Sequence, residues 1–135
     1  MLQALFALEG RLGRLAYFGY SLLLGLVLAV LAFLLLLPVH NPQNNVNALI
    51  AVFAVVGVIG TWCSISLGVK RLHDLNLSGW HYAWMALVPA AMEAVGKVTN
   101  ELAISAVAGL ISLLIGLYLL FWPGTDGPND FGEAP

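Results

Sequence analysis

The chain has 135 residues, 61% hydrophobic and 9% charged, with five Lys/Arg against seven Asp/Glu and a formal net charge of −2. Soluble domains carry roughly 25% charged residues because a water-facing surface has to be solvated, so this composition excludes a water-soluble globular domain; the mean hydropathy of +0.93 points to lipid as the main solvent. No clustered basic face of the kind nucleic acid requires is present.

The first apolar block, residues 15–37, would be roughly 34 Å long as a helix, enough to cross a bilayer with some tilt. It is well beyond the roughly 7–15 residues of a signal-peptide core, and Pro38-Val39-His40-Asn41-Pro42 offers no small-x-small cleavage pattern; the first span is therefore expected to be retained. Pro38 and the run Asn41-Pro42-Gln43-Asn44-Asn45 end it, since prolines and asparagines favour turns, and His40 is expected in a solvated outer loop. The second block, residues 46–69, contains no charge. Cys63 within it is the single cysteine, which excludes an internal disulfide and a cysteine-rich metal site and predicts a small buried hydrophobe.

The third block, residues 80–98, contains Pro89, Glu93 and Lys97. Its uninterrupted apolar part, residues 82–92, is short for a full crossing. The spacing of Glu93, Lys97 and Glu101 predicts one helical face on which they pair near the far interface. The fourth block, residues 102–122, is again free of charge and stops at Pro123-Gly124, leaving a tail over residues 123–135. Backbone groups in lipid must pair within their own segment, so the reading is an all-α fold: one integral membrane domain over residues 1–135, a four-helix bundle whose third span is short or irregular.

With four crossings, Arg11, Arg14, Lys70 and Arg71 share one side and Lys97 stands alone on the other. The positive-inside rule then places both termini in the cytoplasm, and the aromatics Tyr17, Phe18, Tyr20, Trp80, Tyr82, Trp84, Phe121 and Trp122 gather at that same interface. Small residues recur every four positions in Ser21-Gly25-Ala29, Gly60-Ser64-Gly68, Ser105-Gly109 and Ser112-Gly116. Such stripes let helices approach closely in lipid, with packing inside this bundle expected ahead of packing against a second copy.

The distinctive polar residues fall in three pieces on the cytoplasmic side. The first is Gly10-Arg11-Leu12-Gly13-Arg14, its arginines spaced to share a helical face. The second is Lys70-Arg71-Leu72-His73-Asp74 running into Ser78-Gly79-Trp80, and the third is the tail with Asp126, Asn129 and Asp130. These pieces, in this order and between these spans, resemble domain-of-unknown-function family 805, small multi-pass proteins of the bacterial inner membrane. The family's Gly-Arg-x-x-Arg followed by aromatics, Arg-Leu-His-Asp-x-x-x-Ser-Gly-Trp and C-terminal Pro-Gly-x-x-Gly-x-Asn-x-aromatic-Gly-x-x-Pro motifs are matched by Gly10 to Arg14, Arg71 to Trp80, and Pro123 to Pro135. Lys70 stands where a second arginine is common, and His81 where a second tryptophan is common. The resemblance implies a helical inner-membrane protein and brings no activity with it.

Read from spacing, Asp74 can pair with Arg71 or Lys70 on a helix end, an exposed contact contributing about 0–1 kcal/mol, while Ser78-Gly79 turns the chain into the next span. His73 beside Asp74 invites a general-base reading, yet neighbours on a helix point about 100° apart and no nucleophile is placed beside them. His73 and His81 lack further His or Cys for zinc, and the tail carboxylates miss the spacing of a calcium loop. No metal, cofactor or catalytic residue is therefore expected.

The expected role is a non-catalytic module whose cytoplasmic polar cluster binds a partner protein or anionic lipid headgroups, with a homo-oligomer as a further possibility. The alternatives are a transporter or channel component, with a broken-helix site near Pro89 and Glu93 in two associated copies, and a lipid-modifying enzyme using His73 and Asp74. The first, second and fourth spans hold no ionisable residue to line an ion path. Finally, an acidic tail beside basic helix ends predicts docking: Asp126 or Asp130 onto Arg11, Arg14 or Arg71 through the arginine fork, with Phe131 packed on the bundle.

Overall fold

A computed structural model describes residues 8–37 and 46–135 of the chain; the expectations for His40 and the polar run around it lie outside the described residues. Among the described residues four helices follow one another: α1 (Arg14–Leu36), α2 (Val46–Asp74), α3 (Trp80–Thr99) and α4 (Leu102–Phe121). Helices α1, α2 and α4 are long and apolar enough to cross a membrane. Helix α3 is as long as α4, 20 residues each, but Glu93 and Lys97 dilute its apolar content. It continues through Pro89, so it is a full-length helix rather than a broken one.

Two boundaries differ from the sequence reading. Helix α2 runs on to Asp74, so the Lys70-to-Asp74 motif is the last turn of a helix, and Lys70, Arg71 and Asp74 are buried. Residues 10–13 are not helical; Arg11 and Arg14 therefore share no helical face, and Arg11 turns inward while Arg14 is exposed. At the far end, Asn100 closes α3 in the left-handed region (φ 59°), and the Glu101 N–H donates to the Gly96 carbonyl at 2.9 Å, a glycine-type helix stop built on asparagine. Lys97 and Glu93 pair at 3.2 Å on an exposed face. Glu101 lies past the reversal, just before α4, and does not extend that row.

Helix α1 packs chiefly on α2 and α3 chiefly on α4, with sparser contact between the two pairs. The buried core is small: Leu12, Leu24, Cys63 and Leu67 form one cluster with Tyr17, Tyr20 and Leu28 against it, and Val69, Leu72, Ala108 and Leu119 are also buried. Large side chains such as Leu22, Phe33, Phe53, Val58 and Leu113 stay exposed, as expected where apolar side chains face lipid. In α2, Gly60 and Gly68 serve internal packing. A Cβ on Gly60 would stand 2.8 Å from Leu28, and one on Gly68 would stand 2.0 Å from the Tyr82 ring. Gly25, Gly109 and Gly116 meet nothing within 4 Å among the described residues, so the α1 and α4 stripes are not used in the same way.

Residues 8–13, the end of α2, the α2–α3 turn and the tail all meet at one end of the bundle. The Leu12 N–H donates to the Lys70 carbonyl at 3.1 Å, and the Thr125 N–H to the Asp74 carbonyl at 2.8 Å.

Candidate functional site

A helix that ends at a bundle surface leaves its last four carbonyls without intrahelical partners. In α2 these are supplied from three parts of the chain. Leu75 bonds Arg71 and Leu72, Leu77 also bonds Leu72, Asn76 and the Asn129 side chain bond His73, and Leu12 adds a bond to Lys70 one residue before these four. The Thr125 N–H and hydroxyl both donate to Asp74, the hydroxyl at 3.0 Å. The end of α4 is closed differently. The Arg71 guanidinium donates from Nε to the Leu119 carbonyl at 2.6 Å and from Nη2 to the Trp122 carbonyl. A cation at a helix C-terminus meets the negative end of the helix dipole.

Asp74 is the hub. Its Oδ2 accepts from Arg71 Nη1, and its Oδ1 from Arg11 Nη2 at 3.1 Å. All three side chains are withdrawn from solvent, at 0% (Arg71), 1% (Arg11) and 4% (Asp74) exposure. The expected exposed Arg71–Asp74 pair is thus a buried one with a second arginine added. Two guanidiniums against one carboxylate leave an excess positive charge, which carbonyl dipoles offset. Arg11 donates to the Thr125 carbonyl at 2.6 Å, the Gly127 carbonyl at 2.5 Å and the Gly132 carbonyl at 3.2 Å, while Arg71 takes the end of α4. Arg11 Nε is buried without a hydrogen-bond partner among the described residues.

The tail docks, as expected, but not through its acids. Asp126 and Asp130 are exposed, and neither forms an ion pair among the described residues. Asp130 contributes only its N–H, to Asn76 Oδ1 at 3.3 Å. The physical reason is that a backbone carbonyl is less costly to bury against the guanidiniums than a second ionised carboxylate beside Asp74. Gly127 (φ 75°) and Gly132 (φ 128°) adopt backbone angles that side chains disfavour, and both give carbonyls to Arg11. Asn129 organises the turn: its side chain bonds Thr125 Oγ1 at 2.8 Å and accepts the Phe131 N–H at 2.9 Å. The Phe131 ring then stacks on His73, 4.1 Å between centroids and 2° from parallel. Gly124 lies against the hub, where a Cβ would stand 2.1 Å from Asp74 Oδ2.

The remaining predicted residues divide. His73 belongs to the cluster, its Nδ1 3.1 Å from the Gly10 carbonyl, while Asp74 faces the arginines instead. Ser78 and Gly79 form the α2–α3 turn: the Ser78 carbonyl receives the His81 N–H at 3.0 Å and lies 2.9 Å from His81 Nδ1, and Gly79 packs on Val69. Trp80 points outward, 81% exposed, and Arg14 is outside the hub. The sequence reading missed the Arg11–Asp74 pair, Thr125 and Gly124; the composition of the motifs singled out these stretches but not their partners. No group of three metal-ligating side chains is gathered among the described residues.

The described residues form helices without a strand, three of these helices are of membrane-crossing length, and a polar cap closes one end; this defines an integral membrane protein built as a helical bundle. The chain belongs to the family described as Protein of unknown function (DUF805), whose model matches residues 5–133. Among curated proteins and among solved structures, nothing matches it.

Proposed function

We propose that the protein is a non-catalytic binding module of the bacterial inner membrane, crossing it four times with both termini cytoplasmic, and that the docked tail is the face it presents to a partner protein. The observation that carries this reading is the engagement of both buried arginines. A lipid phosphate approaching Arg11 or Arg71 finds side chains almost fully withdrawn and already bonded to Asp74 and to backbone carbonyls. The exposed charges at this end are Glu9, Asp126, Asp130 and Glu133 against Arg14. That balance disfavours the anionic cytoplasmic leaflet and suits a protein surface of opposite charge. His73 and Asp74 engage different groups, which supports the non-catalytic reading over one in which Asp74 orients His73 as a base.

A photo-crosslinking residue at Asp130 is expected to give a discrete protein adduct in cells, and one at lipid-facing Leu113 is not. The adduct should disappear in Arg11→Ala at equal membrane abundance. Adducts to lipid alone at position 130 would overturn the proposal. The topology rests on the four-to-one Lys/Arg distribution. A folding-sensitive fluorescent reporter fused after Pro135 should be bright, and a phosphatase active only in the periplasm should be silent there; the reverse pattern would sink the assignment.

One observation favours a transport role as the second reading. A crevice of about 620 Å³ between α3 and α4 is lined by Tyr17, Tyr82, Glu93 and Ser112. Solute flux in vesicles that Glu93→Gln abolishes would move the conclusion there.

A further inference from the structure

The sparse contact between α2 and α3 leaves a groove of about 1130 Å³ whose described walls include Leu28, Val56, Gly60, Ile65, Ala86 and Leu87, with His73, Ser78 and Gly79 at its polar end. Helix α2 is of membrane-crossing length and composition, so the medium beside this groove is lipid, and an apolar channel there is filled by hydrocarbon. From Val56 to His73 the helix rises about 25 Å at 1.5 Å per residue. One leaflet accounts for about 15 Å of the roughly 30 Å hydrocarbon core, which leaves length for an ester and headgroup. Exposed Trp80 and Trp84 lie at the polar end, the level at which aromatic rings mark the interface.

The polar end also has a definite hydrogen-bonding character. A carbonyl only accepts, so the contact between His73 Nδ1 and the Gly10 carbonyl at 3.1 Å puts the hydrogen of the neutral ring on Nδ1 and leaves Nε2 as an acceptor. Nε2 lies beside Gly79, 3.4 Å from where a Cβ would stand. The Ser78 hydroxyl adds a donor, and exposed Glu9 stands in the chain between Leu8, which lines the groove, and Gly10, whose carbonyl His73 holds. The guanidiniums of Arg11 and Arg71 are bound into the hub and do not line the groove.

We propose that this groove holds one membrane phospholipid with a primary-ammonium headgroup, an acyl chain along α2 and α3, the ammonium at His73 Nε2 and Glu9, and the phosphate at the Ser78 hydroxyl. An anionic glycerol head lacks the cation for the first two groups, and a choline head has no N–H to donate. The inference is independent of the partner proposed for the tail.

Native mass spectrometry of the full chain, offered phospholipids with ethanolamine, choline or glycerol heads and identical acyl chains, tests it. One ethanolamine lipid per chain should be retained about tenfold over the others, the factor a charge-assisted hydrogen bond supplies. Gly57→Phe places a ring on the groove wall at a position where a Cβ meets nothing within 4 Å among the described residues. It should cut retention about tenfold, as when a couple of methylene groups lose burial, while the tail stays protease-resistant. Ser78→Ala removes a donor to the phosphate, which all three lipids carry, and should weaken retention of all three while leaving the headgroup preference in place. Equal retention of all three lipids, preference for the glycerol head, retention unchanged in Gly57→Phe, or a second protein chain in place of lipid would each overturn the proposal.

Discussion

Asp74→Ala is expected to be the most damaging single substitution at the polar end, costing about 3–5 kcal/mol, the range for a buried ion pair that loses one partner. The carboxylate is the acidic partner of both Arg11 and Arg71 among the described ion pairs. Without it two guanidiniums stay buried with carbonyl dipoles alone. The measurement is the thermal midpoint in detergent together with limited proteolysis. The midpoint should fall, and the tail after Pro123 should become rapidly cleavable, because its Arg11 anchor is no longer held. Gly124 sharpens the test. A methyl there meets Asp74 Oδ2 at 2.1 Å, so Gly124→Ala should destabilise wild type by about 1–3 kcal/mol, as overpacking does, and should cost clearly less when Asp74→Ala is already present. Contacting residues couple in this way, whereas independent sites add. Additive effects, or an Asp74→Ala variant as stable and as protease-resistant as wild type, would remove Asp74 from its place as the hub.

Arg71→Lys is expected to fail although it keeps the charge. Arg71 uses three different nitrogens on three acceptors: Nε on Leu119, Nη1 on Asp74 and Nη2 on Trp122. These acceptors lie around a plane that a guanidinium matches, whereas an ammonium is a compact point charge on a flexible stem. Lysine can hold Asp74 or the end of α4, but not both in that geometry. A loss of about 2–4 kcal/mol follows from two buried carbonyl bonds and a weakened ion pair. The expected readout is a lowered thermal midpoint in Arg71→Lys, close to that of Arg71→Ala. A lysine variant indistinguishable from wild type would show that charge alone, and not the fork, closes α4.

The sequence by itself determined that lipid is the solvent, that the described residues form four helices, and where most of them end. Those properties are local: an uninterrupted apolar run must satisfy its own backbone in lipid, and Pro38, Pro123 and Gly124 punctuate it. It also singled out the three stretches that converge at one end. Tertiary structure decided their partners. Spacing rules find pairs three or four residues apart, and they found Arg71 with Asp74. They cannot see Arg11, which reaches Asp74 across 63 residues. Nor do they foresee that Arg11 takes tail carbonyls in preference to Asp126 or Asp130. Counting charges predicts acid on base. In a desolvated cap, each additional buried carboxylate carries a hydration cost that a backbone carbonyl, already in need of a donor, does not.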